Sequence, residues 1–234
     1  MSRSESPGAL YSERLGQALA FAADQFRHRV RKGSGIPYLT HLLQVMVTVG
    51  EHGGDEDQMI AAALHDYLED IRGATRADLE IRFGPKVVEL VVALSDSETH
   101  PKPPWEQRKR MYLARLREES PELKLISAAD KLHNAMSIRR DFERIGEEVF
   151  ARFSATRTQT LWYYRSVIAA LGHDWDHPLV DELRDEVRRL HALVGVEGEP
   201  RGDQIHDLVS EGDTLVVQVV KDPLGTKGAR LTTN

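Results

Sequence analysis

The chain has 234 residues, 41% hydrophobic and 29% charged, with a formal net charge of −6. That length suits one sizeable domain with a small appendage, and the acidic balance excludes the broad basic surface of a dedicated nucleic-acid binder. Without cysteine, disulfide scaffolds and thiolate metal sites are excluded, so any metal must be held by His, Asp and Glu. Met1 to Leu10 is polar and lacks the apolar stretch of a secretory signal, and no apolar run approaches the ~18 residues that span a bilayer. The sequence therefore predicts a cytoplasmic protein with no membrane partner.

Helical periodicity dominates residues 11 to 194. Leu15, Ala18, Leu19 and Ala22 mark the apolar face of a first helix by their i, i+3, i+4, i+7 spacing. Arg31 to Tyr38 contains two glycines and a proline and reads as a short basic loop. A second helix is predicted from about Thr40, as its cap, to Gly50. A third runs from Asp57 to about Asp70, with Ile60, Ala63 and Leu64 inward. Thr75 to Asp78 resembles a capping box that opens a short helix ending near Gly84, and Pro85 opens the next. Ser95 to Pro104 is polar and proline-rich and is expected to be a loop. Helices are then predicted over Trp105–Glu118, Pro121–Arg139, Gly146–Leu171 and Pro178–Val194.

The composition changes after residue 195. Gly195 to Gly202 reads as a linker, and Leu215 to Val220 is β-branched and strand-like, with a Gly-containing basic turn from Lys221 to Arg230. The predicted organisation is an all-α helical bundle over residues 1–195, a linker over 196–204 and a short strand-containing tail over 205–234.

Chemistry concentrates at a few polar interruptions of apolar helices. His65-Asp66 follows Ala61-Ala62-Ala63-Leu64, and polar groups beside such a face need a reason. Glu69 and Asp70 lie four residues after each, so on a continuous helix the four form one polar patch. Three carboxylates so close repel one another unless a cation compensates. His41, after the Pro37-Tyr38 break, and Asp130, within Ile126-Ser127-Ala128-Ala129-Asp130-Lys131-Leu132, supply further candidates. Two His and two Asp suit a divalent ion such as Mn²⁺, Fe²⁺ or Zn²⁺, which polarises a phosphoryl oxygen and lowers the pKa of bound water. A second dipeptide, His173-Asp174, follows Gly172 at a predicted helix end and reads as a loop. Trp162-Tyr163-Tyr164 reads first as helical core packing and second as a flank of the pocket.

The order His41, His65-Asp66, Asp130 resembles the HD superfamily of metal-dependent phosphohydrolases. The surrounding residues narrow the likeness. Arg31-Lys32, Pro37-Tyr38-Leu39-Thr40-His41, Leu64 to Asp70, Phe83-Gly84 and Ala129 to Asn134 together resemble the hydrolase domain of RelA/SpoT proteins and its small stand-alone relatives, over about residues 10–172. That resemblance implies an HD-domain helical fold, a role in the stringent response, and a metal-dependent hydrolase that removes the 3′-pyrophosphate of guanosine tetra- and pentaphosphate (ppGpp and pppGpp) with one Mn²⁺. It implies His41, His65, Asp66 and Asp130 as metal ligands and Glu69 and Asp70 as the catalytic acidic pair that orients and activates water. Arg31 and Lys32 would contact the base or phosphates, and Asn134 the ribose or phosphate side. The alternatives are another nucleotide substrate, such as NADPH or a nucleoside phosphate, and a non-catalytic nucleotide-binding module.

This chain departs from the family where Phe26-Arg27-His28-Arg29 replaces its His-x-x-Gln, at the Gly33-Ser34-Gly35 loop, and at Ala135-Met136-Ser137, where the family carries an aspartate and an arginine. A separate likeness marks the tail. Residues 211–233 resemble part of the RNA-binding OB-type domain of ribonuclease E/G, but two strands do not make a five-stranded OB-fold. No RNA chemistry is assigned to them.

Overall fold

The computed structural model describes residues 11–95 and 103–195, together with the strand residues 217–221 and 230–233. The chain divides into two compact units, Met1–Gly202 and Asp203–Asn234. The polar Met1–Leu10 segment, most of the expected loop between Ser95 and Pro104, the expected linker over 196–204 and the expected turn between Lys221 and Arg230 lie outside the described residues.

The first unit is helical. Its helices are α1 (Glu13–Gln25), α2 (Leu39–Glu51), α3 (Glu56–Leu64), α4 (Tyr67–Asp70), α5 (Arg76–Phe83), α6 (Pro85–Leu94), α7 (Trp105–Glu118), α8 (Pro121–Ile145), α9 (Arg157–Leu171) and α10 (Pro178–Leu193). Local chemistry sets their starts. Ser12 caps α1, and Asp55 and Thr156 form full capping boxes with Gln58 and Gln159, each satisfying backbone donors that the first turn leaves open. Pro85, Pro121 and Pro178 occupy first-turn positions, where a missing N–H costs nothing. Among the described residues no helix is long and apolar enough to cross a membrane.

The core gathers around α3. Ala61, Ala62, Ala63 and Leu64 are fully buried, and the small alanines let α2, α6 and α8 approach its backbone closely. Leu42, Val45, Val49, Ile126 and Leu171 complete the same apolar cluster.

Three features differ from the expected elements. The single helix expected over Asp57 to Asp70 is broken. α3 ends at Leu64, Asp66 takes φ −96° and ψ 3°, and α4 begins at Tyr67. Asp66 thus sits in the sparsely populated bridge region, a frequent conformation for active-site residues. α8 runs past the expected Arg139 to Ile145 and stops where Gly146 adopts φ +63°. The helix expected from Gly146 to Leu171 is instead a 3₁₀ segment, Gly146–Arg152, followed by α9, because the Thr156 capping box starts a new helix there.

The basic loop is a small hairpin. Val30 bridges Pro37, Arg31 N–H donates to Ile36 O at 2.8 Å and Tyr38 N–H to Arg29 O at 2.9 Å. Gly33, at φ +70°, packs so tightly on Arg152 that a Cβ there would lie 2.5 Å from its side chain. The left-handed backbone favours glycine there, and a larger residue would also have to displace the Arg152 side chain.

In the second unit β1 (Val217–Lys221) pairs antiparallel with β2 (Arg230–Thr233), in the register Val217↔Thr233 with an irregularity between Val219 and Lys221.

One buried group outside the polar cluster is expected to make the helical unit acid-sensitive. His191 on α10 is 1% exposed, and its Nδ1 accepts from Arg165 of α9 at 3.2–3.3 Å. Burial first, then Arg165, push its pKa down from 6.5 to about 4. The unfolded chain takes up this proton first as pH falls, so stability declines below about pH 6.5 and this contribution is fully lost below about pH 4, a total of order 3 kcal/mol. The urea midpoint should therefore fall further between pH 7 and pH 4.5 for the wild type than for His191→Asn, whose Oδ1 lies where His Nδ1 lies and keeps an acceptor for Arg165 without titrating. Equal declines would assign the acid sensitivity to other groups.

Candidate metal centre

Four side chains from three places in the chain converge. His41 is in the first turn of α2, His65 and Asp66 form the break between α3 and α4, and Asp130 is in α8. His41 Nε2 lies 3.2 Å from Asp130 Oδ1 and 3.9 Å from Asp66 Oδ2, while His65 Nε2 lies 3.0 Å from Asp66 Oδ2 and 3.7 Å from Asp130 Oδ1. His41, His65 and Asp66 offer ligand atoms all within 4.8 Å of one another, and Asp130 closes the ring through both histidines.

This donor set fits a divalent ion. Ligand atoms ~2.1 Å from one ion sit ~3.0–3.4 Å apart at octahedral to tetrahedral angles, close to the spacings here. His65 adds a second sign. Its Nδ1 donates to Ala62 O at 2.8 Å, which leaves Nε2 facing the carboxylates, and that buried atom has no aligned hydrogen-bond partner. A buried polar atom without a partner is costly unless something occupies the space before it.

The electrostatics favour a cation. Burial alone would lower the His65 pKa, but Asp66 and Asp130 outweigh it and push it up to about 9. The field at this point thus stabilises positive charge, as a proton or as an ion. Burial works to raise Asp66, yet the adjoining His65 holds its carboxyl well below the usual range. Asp130 is likewise held low, against its burial, chiefly by Lys131, with which it forms an ion pair. Burial lowers the pKa of His41, which favours the neutral imidazole that metals bind.

A set of neighbours orients these groups. Tyr38 O–H donates to Asp66 Oδ2 at 2.6 Å, and burial, then the Asp66 charge, raise its pKa so that the proton stays on. Asn134 Nδ2 donates to Asp130 Oδ1 at 2.6 Å, and Asn134 Oδ1 accepts from Arg31 at 2.8 Å. Arg31 also lies over the Tyr38 ring. His41 Nδ1 is 2.7 Å from His133 Nδ1, and burial, then His41 and Arg31, push the His133 pKa down to about 4.

The cluster lies at the wall of a cleft of about 1050 Å³. Glu69 and Asp70 of α4 line it, as do Arg31 and Lys32 of the hairpin and Asn134 of α8. Every predicted site residue except the buried His41 thus lines one cleft, and His41 stands behind it in contact with Asp130. Tyr163 and Tyr164 serve both readings of their aromatic run, being buried in the core and lining the cleft. His173 and Asp174 fall in a turn between α9 and α10, with Asp174 at φ +52°.

The sequence alone assigns no role to Tyr38, Lys131 or His133. Each lies inside one of the motifs above, and the i, i+3 spacing from Asp130 puts His133 on the ligand's side of α8, but its partner His41 lies on another helix and leaves no mark in that spacing.

Residues 18–161 match the model of a family described as the HD domain. The chain belongs to the HD-domain family. Its HD domain is 36% identical over 129 residues to the human guanosine-3′,5′-bis(diphosphate) 3′-pyrophosphohydrolase MESH1, covering 54% of this chain and 70% of that protein. It is 33% identical over 209 residues to the bifunctional (p)ppGpp synthase/hydrolase SpoT of Escherichia coli K12, covering 85% of this chain and 28% of that protein. Among solved structures it is similar to a metazoan ortholog of SpoT that hydrolyzes ppGpp, with a TM-score of 0.64 and 25% identity over 81% of this chain and all of that one. HD-domain hydrolases use divalent metals, and His41, His65 and Asp66 here form a group that could hold one.

Proposed function

We propose that this chain is a metal-dependent pyrophosphohydrolase that removes the 3′-pyrophosphate from guanosine tetra- and pentaphosphate, with Mn²⁺ as its ion. The observation that carries the reading is the ring of two imidazole nitrogens and two carboxylates beside a cleft that holds both further carboxylates and cations. The names of the relatives supply the substrate.

His41, His65, Asp66 and Asp130 would hold the ion. When bound, it supplies Lewis acidity and hydroxide at neutral pH. Glu69 and Asp70 orient the attacking water and accept its proton, the task of a positioned general base. Arg31 and Lys32 take the guanine or its phosphates. Asn134, fixed between Asp130 and Arg31, holds the ribose or phosphate side. Tyr38 and Lys131 touch no substrate in this scheme and act by holding Asp66 and Asp130 in place.

One observation favours a second reading of the substrate. Ala135-Met136-Ser137 replaces the family's aspartate and arginine, and Ser137 lines the cleft with Arg140 and Arg144 nearby. A different nucleotide phosphate, such as NADPH or a nucleoside phosphate, would meet a different set of contacts there. A panel of nucleotides assayed with Mn²⁺ for phosphate and pyrophosphate separates the two. The primary reading expects pyrophosphate from ppGpp as the fastest release, and phosphate from another nucleotide at a higher rate would replace it.

A further inference from the structure

The two histidines of the centre are anchored differently. His65 is tied by Nδ1 to a backbone carbonyl, Ala62 O, at 2.8 Å. That anchor survives any side-chain substitution. His41 has only a side chain behind it. Its Nε2 edge faces Asp130 and Asp66, and its Nδ1 meets His133 Nδ1 at 2.7 Å. The two rings lie 4.9 Å apart and 27° from parallel.

Two ring nitrogens at that distance share one proton, so one donates and the other accepts. Ligation by His41 uses the lone pair on Nε2. The single proton of the neutral ring must then sit on Nδ1, and His133 must accept it, keeping its own proton on Nε2. The reverse arrangement, with His133 donating, places a proton on His41 Nε2 and removes the ligand.

We propose that His133 is a positioning residue for the metal centre, accepting the Nδ1–H of His41 and so fixing that imidazole with Nε2 turned toward Asp66 and Asp130. The assignment rests on His41 being a ligand. α8 then serves the centre twice, through Asp130 directly and, one turn on, through His133. It thereby ties the first turn of α2 to the far wall of the site. Partners that orient a ligating histidine in this way govern both its tautomer and its basicity.

Asparagine and leucine at position 133 make a matched pair. Asn Oδ1 lies where His Nδ1 lies along the side chain and can accept, whereas Leu has the same branching and cannot. Mn²⁺ binding is measured by calorimetry on the chelator-stripped full chain without nucleotide, with the metal-free melting temperature of each variant alongside. His133→Leu is expected to weaken Mn²⁺ about 10–100-fold and His133→Asn to stay within about threefold of the wild type. Wild-type affinity in a folded His133→Leu, or equal loss in both variants, would overturn the assignment. Should His133→Leu fail to fold, His133→Asn decides alone, because lost affinity there removes the acceptor role. A wild-type chain that binds no Mn²⁺ would instead refute the centre itself, and this assignment with it.

Discussion

Asp66→Ala is expected to abolish turnover and Mn²⁺ binding together. A change in a group that merely orients a ligand costs about 10–100-fold in affinity or activity, so loss of a direct ligand should exceed that and reach at least ~10³-fold in turnover. The carboxylate also accepts the Tyr38 hydroxyl at 2.6 Å and lies 3.0 Å from His65 Nε2. Alanine therefore leaves a half-buried hydroxyl without an acceptor, at a cost of about 1–3 kcal/mol. Asp66→Asn separates these effects. It keeps an oxygen for Tyr38 yet removes the charge that favours a cation and that faces His65, so its metal-free melting temperature is read beside that of Asp66→Ala. Turnover in a metal-dependent assay and calorimetric Mn²⁺ titration read both. Equal activity of wild type and Asp66→Ala would exclude the site.

Glu69→Gln and Asp70→Asn should produce the opposite division. Both residues line the cleft from α4, beyond the break at Asp66. Neither belongs to the ring of donor atoms around His41 and His65. Mn²⁺ affinity should stay close to that of the wild type while turnover falls about 10²–10⁴-fold, the worth of a positioned acid/base group. If either substitution stripped the metal, the ligands would have been assigned wrongly.

The centre was legible in the sequence because its residues break a pattern. His65-Asp66 after three alanines, and Asp130 after Ala128-Ala129, are charged groups where the helix period calls for apolar ones. Burying them in an otherwise apolar cluster requires compensation. Most of the helices followed from the same periodicity, with caps and prolines marking the starts. The break between α3 and α4 was not legible, because Glu69 and Asp70 keep helical spacing from His65 and Asp66 and a period carries no record of two intervening turn residues. Gly146 was ambiguous for a related reason. Glycine can precede a helix or end one, and only its positive φ shows that it ends α8. The roles of Tyr38, Lys131 and His133 depend on what each side chain meets in space. His133 meets a residue 92 positions away, and spacing along one helix cannot reveal a partner on another.

Product analysis on ppGpp tests the central claim most directly. The purified chain is stripped with a chelator, incubated with ppGpp with and without Mn²⁺, and its products are resolved. GDP and pyrophosphate are expected in equal amounts with Mn²⁺, none after chelation, and recovery when Mn²⁺ is restored. A chain that binds Mn²⁺ and ppGpp yet releases no pyrophosphate, or that releases it equally after chelation, would contradict the account.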